Sequence, residues 1–357
     1  MPKLYTLDAM RGVAALMVAI LHFGIVRSET SSPYLAVDFF FALSGFVIAY
    51  SYDRRLSAGM TDDEFLKRRL IRLYPLFALG LVLGLVVTLL GQALGNGNNN
   101  GPALVQFATA LVFLPFPAEF AMTGAEESAA PLNGPYWSLI LEIHMNVIFA
   151  IFFRWLGMSV LSIVVALFGL GIVAIAWSEA TLETGYLTKT FHFGIVRIGF
   201  SFLAGVLICR LRHRLRVPKL HWMAVLALVA GVLLFPTPES IRWIYDSMCV
   251  LVIFPLLILA GTQSQPRDAR LITLFVWIGG ASYALYALHF PIVMIGEMVA
   301  EANEQIPFRL WSLAFLFLSV ALAFAAYLFY DIPARRWLND RFQRPRRSEP
   351  AAAPAKV

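Results

Sequence analysis

The stretch MRGVAALMVAILHF, residues 10–23, is apolar along most of its length and would serve as a membrane helix, yet it keeps Arg11 and His22. At about 100° per residue, the eleven steps between them come to about 1100°, which leaves roughly 20° after whole turns. The two side chains therefore share one face, about 16 Å apart along the axis, and do not touch. One stands at the mouth of the helix and the other well inside. An ionisable side chain in an apolar span is costly and by default marks function. This placement suits a long substrate with an anionic head and a reactive far end.

The rest of the chain has the same apolar character. Its 357 residues are 59% hydrophobic and 14% charged, with mean hydropathy +0.73, whereas a soluble domain is about half apolar and about a quarter charged. Apolar runs of spanning length fall at 8–26, 34–52, 74–94, 136–154, 159–178, 193–209, 222–236, 244–262, 273–298 and 309–331. A weaker run, PALVQFATALVFLPFP (102–117), ends in Pro115 and Pro117, and its length and breakers predict a re-entrant or surface helix. Charge supports that reading. With the N-terminus inside and ten spans, every lysine and arginine except Arg27, Lys189, Arg197, Arg242 and Arg309 belongs to an inside segment. An eleventh span at 102–117 would throw every later basic loop outside, against the positive-inside rule.

The expected fold is all-α: a polytopic membrane helix bundle of about ten transmembrane helices plus one short helix near 102–117, with both termini cytoplasmic. The membrane domain covers 1–342, and the Pro- and charge-rich stretch 343–357 reads as a disordered cytoplasmic tail. The segment GNGNNNG (95–101) reads as a flexible outside loop. The first span lacks a small-residue cleavage site and is expected to stay uncleaved. Net charge +6 and pI near 9.4 belong to the inside loops, and no basic stripe interleaved with aromatics calls for nucleic acid. Cys209 and Cys249 lie in apolar runs and show neither a disulfide framework nor metal spacing. No internal repeat is visible, which weakens an inverted-repeat transporter. Nothing in the sequence fixes an oligomeric state.

Depth groups the polar residues within the spans. Counted from the outer surface at about 1.5 Å per residue, His22 lies about four residues down, Glu142 six, His289 nine and Ser44 ten. These four can converge in the outer half. Arg11 and Asp331 lie near the inner surface and are expected to pair. A packing histidine, a helix-kink cap before Pro291 and a small Ser44–Gly45 pair permitting close helix contact are the bland readings of His22, His289 and Ser44. Glu142 is harder to dismiss, because a carboxylate deep in a span needs a partner or a proton. His144, His192, His213 and His221 receive no role.

Five motifs, in order, resemble the bacterial acyltransferase family 3, integral membrane enzymes that O-acylate surface glycans and related molecules. LDAMRGVAALMVAILHF carries an Arg-x10-His element in Arg11 and His22. VDFFFALSGFVIAYSY carries Phe39, Phe40, Ser44 and Gly45. FLKRRLIRLYPLF matches a basic Arg-x-x-Arg-x-x-Pro segment through Arg69, Arg72 and Pro75. YWSLILEIHMNVIF matches a Trp-Ser-Leu-x-x-Glu element through Trp137, Ser138 and Glu142, and SYALYALHFPIV matches a late element through Ser282, Tyr283, Tyr286 and His289. The last family element usually has Glu before Pro-x-Arg, where this chain has Asp331, Ile332 and Pro333.

The resemblance implies a bacterial inner-membrane enzyme that takes an acyl group from cytoplasmic acyl-CoA, usually acetyl-CoA, and passes it to a hydroxyl of a glycan or related acceptor, without a metal. Arginine forks suit the phosphates of the donor head, so Arg68, Arg69 and Arg72, with Arg11, are the expected donor-binding residues. His22 is the expected general base, Glu142 the group that orients it, and Ser44 a donor to the thioester oxygen or a substrate contact. Trp137, Tyr283, His289 and Asp331 are expected substrate contacts. A proton-coupled transporter or flippase using His22, Glu142 and His289 is the main alternative, and a non-catalytic receptor or scaffold is the second. A zinc site from His22, Glu142 and His289 has no local spacing to support it.

Overall fold

The computed structural model describes residues 2–95, 102–117, 128–302 and 307–342. Among the described residues the architecture is a bundle of α-helices without a β-strand. In chain order the helices are α1 (Tyr5–His22), α2 (Ala36–Ser57), α3 (Asp62–Ala93), α4 (Ala103–Leu111), α5 (Tyr136–Phe152), α6 (Met158–Glu179) and α7 (Phe191–Leu211). They continue as α8 (Trp222–Leu234), α9 (Glu239–Met248), α10 (Phe254–Gln263), α11 (Ala269–Ala302), α12 (Phe308–Ala326) and α13 (Ile332–Phe342). Short π-helical turns join α9 to α10 (Cys249–Ile253) and α12 to α13 (Tyr327–Asp331). Each is followed within two residues by a proline, Pro255 or Pro333, which lacks an N–H for the regular ladder.

Nine helical stretches among the described residues are long and apolar enough to cross a membrane, and α8 is a shorter apolar helix. The expected bundle is therefore present, and three of its helices differ in extent from the apolar runs that mark them. First, α3 starts at Asp62 rather than near 74. Its charged first turns continue the helix beyond the apolar run, started by Thr61, whose hydroxyl accepts from the Glu64 N–H at 3.2 Å. Second, the weak run at 102–117 forms only α4, a helix of nine residues, about 14 Å long and far short of a bilayer. Third, the expected span at 222–236 is the 13-residue α8.

That α8 crosses the bundle follows from its ends. Leu220, just before it, accepts from Ser264, whose own carbonyl accepts from Thr6 at the start of α1. At its other end the Leu233 carbonyl accepts from the Ser32 N–H at 3.1 Å, beyond the end of α1. Helix parity agrees. Helices α1 and α11 run parallel, with Gly12 against Ile278 at one level and His22 against His289 at another, which requires α8 to count as a crossing when α4 does not. The loop 95–101 lies largely, and the tail 343–357 wholly, outside the described residues.

Small residues and a buried ion pair fix the contact of α2 with α7. A Cβ at Gly45 would overlap the Phe202 carbonyl oxygen, and one at Gly205 would overlap that of Ala42. Backbones this close need glycine on both sides. Gly45 thus has the packing role that the Ser44–Gly45 pair permits. Near the opposite end from the N-terminus, Arg197 of α7 forks onto Asp38 of α2 at 3.1 and 2.5 Å, both side chains nearly fully buried. Its remaining arm donates to the Thr184 carbonyl at 2.5 Å. At that same end Asp246 gathers Tyr34, Ser32, Thr181 and the Leu182 N–H, and Arg242 holds the carbonyls of Ser28, Glu29 and Thr237.

Removing one partner of a buried pair leaves an uncompensated charge, so Asp38→Ala is expected to destabilise the protein by about 3–5 kcal/mol. Thermal unfolding of purified protein in detergent measures this. A midpoint equal to wild type would show that the pair does not hold α2 to α7.

Candidate active site

The intramembrane polar residues sort into two cavities that share a wall. The first, about 700 Å³, is lined by Arg11, Ser44, Arg69, Arg72, Glu142 and Tyr283, among others. The second, about 1000 Å³, is lined by His22, Trp137, Glu183, Arg197, Tyr186 and Phe290, among others. Val37 and Tyr286 line both. Arg11 and His22, on one face of α1, thus open into different cavities along the same path, as their eleven-residue spacing requires.

In the first cavity Glu142 is the hub. Its Oε1 accepts from the Ser44 hydroxyl at 2.7 Å and from the Arg69 guanidinium at 3.2 Å. Arg69 also donates from Nε to the Asn146 side chain at 3.1 Å, and Asn146 returns a bond to the Glu142 carbonyl at 2.8 Å. The proline inside α3 makes this part of the wall. Pro75 lacks the N–H that the Ile71 carbonyl would otherwise accept, and carbonyls near it take additional bonds from neighbouring tyrosines: Leu73 from Tyr283 at 2.7 Å, Phe77 from Tyr136 at 2.9 Å and Pro75 itself from Tyr330 at 3.2 Å.

His22 lines the second cavity, and His289 supports its ring. The carbonyls of Leu285 and Tyr286 stand 2.9 and 3.0 Å from Nδ1 of His289, and Nε2 of His289 stands 3.1 Å from Nδ1 of His22. A carbonyl only accepts, so a neutral His289 carries its proton on Nδ1 and offers a lone pair at Nε2. His22 then donates from Nδ1, shared between His289 and the Val18 carbonyl at 3.0 Å. The hydrogen-bond pattern assigns these tautomers. It leaves Nε2 of His22 as an unprotonated nitrogen on the ring that lines the second cavity.

Two expected pairings do not form. Glu142 is not the partner of His22; it pairs with Arg69 and Ser44, and His289 holds His22 instead. Depth alone placed all four residues together, but the rotation of α5 turns Glu142 toward the guanidinium of α3, the stronger partner for a buried carboxylate. Nor does Arg11 pair with Asp331. Arg11 stands 3.7 Å from Asp8, one turn away, while Asp331 pairs with Arg335 at 2.7 Å. Ser44 directs its one O–H at Glu142. Trp137 lines the second cavity and lies under the Arg197 guanidinium, 5.2 Å from centroid to carbon. Tyr283 and Arg72 line the first, and Arg68 lies on an open groove outside it.

Some residues of the site escaped the sequence reading. Tyr286 separates the cavities, its hydroxyl 2.6 Å from that of Ser138 and 3.1 Å from the Pro135 carbonyl; both residues sit within the quoted motifs, but nothing in their spacing shows that they meet. Glu183 is a further carboxylate at the second cavity, in the loop between α6 and α7. Burial raises its pKa, against the opposing pull of the Ser28 hydroxyl and Arg242. Asp38 was visible as a charge inside an apolar run and carried its own signal. Among the described residues no group of three or more His, Cys, Asp or Glu side chains is placed to hold a metal ion.

A polytopic helix bundle with nine helical stretches of spanning length among the described residues, an arginine–carboxylate cluster at one cavity and a paired histidine at the next has the make-up of an integral membrane protein. The chain belongs to the acyltransferase 3 family: the family's acyltransferase domain matches residues 4–328. It is 39% identical over 163 residues to protein 2 of the picA locus of Rhizobium radiobacter, covering 42% of this chain and 80% of that one. It is 22% identical over 355 residues to the peptidoglycan O-acetyltransferase OatA of Listeria monocytogenes, and 23% identical over 352 residues to O-acetyltransferase OatA of Staphylococcus aureus. Those two alignments cover 93% and 92% of this chain but 56% and 57% of the relatives, so the chain spans little more than half their length. No solved structure matches the chain.

The Glu142 hub makes a graded prediction. Glu142→Ala strands Arg69 in an apolar wall and is expected to cost about 3–5 kcal/mol, whereas Glu142→Gln keeps a hydrogen-bond partner for Ser44 and Arg69 and is expected to cost less. Unfolding midpoints of the two variants in detergent compare them. Equal midpoints would show that the charge on Glu142 is not what holds Arg69.

Proposed function

We propose that the chain moves an acyl group, acetyl in the usual case, from cytoplasmic acyl-CoA to a hydroxyl of a surface or secreted carbohydrate, with His22 as general base. In this reading the chain sits in a bacterial inner membrane with both termini cytoplasmic. The donor enters at the arginine-lined cavity, and the acceptor enters the second cavity from the opposite face. The observation that carries the reading is the hydrogen-bond relay from the Leu285 and Tyr286 carbonyls through His289 to His22, which leaves Nε2 unprotonated on a ring that lines the cavity.

The step is a direct transfer. Nε2 of His22 takes the acceptor's hydroxyl proton as the oxygen attacks the thioester carbonyl. The C–O bond forms, the C–S bond breaks, and the proton passes to the departing thiolate. His289 acts as a positioning residue, fixing the tautomer and the ring of His22. Arg69 and Glu142 neutralise one another and shape the donor cavity, and Arg11 and Arg72 stand at its wall for the anionic donor. The O-acetyltransferase names of the relatives support acyl transfer to oxygen, and the basic residues gathered at the N-terminal end support the orientation.

The test is transfer of labelled acetyl from acetyl-CoA to material in membrane vesicles that retain the native acceptor. His22→Gln keeps a polar side chain but no base, and is expected to lower transfer by about 10²- to 10⁴-fold. His289→Ala is expected to cause a smaller loss. Full transfer by His22→Gln would overturn the assignment of the base. Transport activity with no dependence on acyl-CoA would overturn the enzyme reading in favour of a transporter.

A further inference from the structure

Outside the first cavity, at the N-terminal end of the bundle, helices α3 and α13 enclose an open groove of about 750 Å³. Four arginines line it: Arg68 and Arg72 from α3, and Arg335 and Arg336 from α13. Asp331 is the carboxylate that meets them, and it is paired with Arg335 at 2.7 Å. Among the described residues Arg68, Arg72 and Arg336 form no ion pair, and Nε of Arg68 is buried without a hydrogen-bond partner. Like charges held around one concavity repel unless an anion fills it. Arg72 is also part of the wall of the first cavity, so the groove and the cavity meet at one guanidinium.

The order of chemical features along this path matches the order along an acyl-CoA. The nucleotide with its 3′-phosphate would lie in the groove, the diphosphate at Arg72, the pantetheine arm in the first cavity, and the thioester at the wall before His22. Resting on the donor reading above, we propose that the α3–α13 groove is the docking site for the nucleotide end of the donor, with Arg336, Arg335 and Arg68 on its 3′-phosphate and Arg72 on the diphosphate. The guanidinium fork matches phosphate oxygens two at a time. Tyr52, Ile71 and Ile332 give the groove a less polar floor beside the arginines. The α13 arginines thereby gain a role beyond setting orientation, and Arg69, engaged with Glu142 and Asn146, is left out of phosphate binding.

Titration of purified protein with CoA and with 3′-dephospho-CoA tests the assignment. Wild type is expected to bind CoA more tightly than 3′-dephospho-CoA. Arg336→Ala is expected to weaken CoA binding on the order of 10- to 100-fold while leaving 3′-dephospho-CoA binding near wild type. Arg68→Gln, on the other helix, is expected to do the same. Arg154→Ala removes an exposed charge from the turn after α5 and is expected to bind both ligands as wild type does. Each variant is compared after elution as a single species from size exclusion. Unchanged CoA binding in Arg336→Ala and Arg68→Gln, or an equal loss for both ligands, would overturn the groove assignment. A wild type that binds CoA and 3′-dephospho-CoA equally would also overturn it. A wild type that binds neither would overturn the donor reading itself.

Discussion

The fork of Arg197 on Asp38 is the contact from which the opposite end of the molecule is built. Both groups sit among apolar side chains, where a lone charge is costly and a paired one is tolerated only with its remaining hydrogen bonds satisfied. Arg197 meets that demand by reaching three ways at once: to Asp38 on α2, to the Thr184 carbonyl in the next loop, and over the ring of Trp137 on α5. Three elements are thereby registered around one guanidinium, and these elements wall the second cavity. Glu142, with Arg69 and Ser44, and Asp246, with a ring of hydroxyls and an amide, are also paired or hydrogen-bonded. Asp331 meets the rule only in part: one oxygen pairs with Arg335, and Oδ1 is buried without a hydrogen bond among the described residues.

Run length and charge made the bundle legible, because a bilayer imposes a length on any apolar helix and a sign on the loops between. The same signals told α4 from a span. They misplaced the start of α3, since a helix whose first turns lie beyond the apolar zone has no hydropathy to mark it, and only the Thr61 cap and the acidic residues after it announce the beginning. They also read α8 as longer than it is, because apolar character continues into a non-helical Phe235.

Within the site, what lay on one helix was legible and what joined two helices was not. Arg11 and His22 follow from a spacing on α1, and the cavities receive them in that order. The partnership of Glu142 was misjudged because depth along a helix is countable from sequence while rotation about its axis is not. His289 was on the page as a substrate contact, but its role as the partner of His22 depends on the parallel packing of α1 against α11, which no local spacing encodes. The resemblance to the acyltransferase 3 family pointed to motifs whose residues the fold brings to the two cavities, without saying which of them touch.

The wall at Val37 and Tyr286 has a consequence for the membrane as an insulator. The two cavities come nearest to joining there, at a tyrosine whose hydroxyl is held by Ser138 and the Pro135 carbonyl. An opening at that point would turn two recesses into one continuous passage, so the contacts that pin this ring also serve as insulation between them.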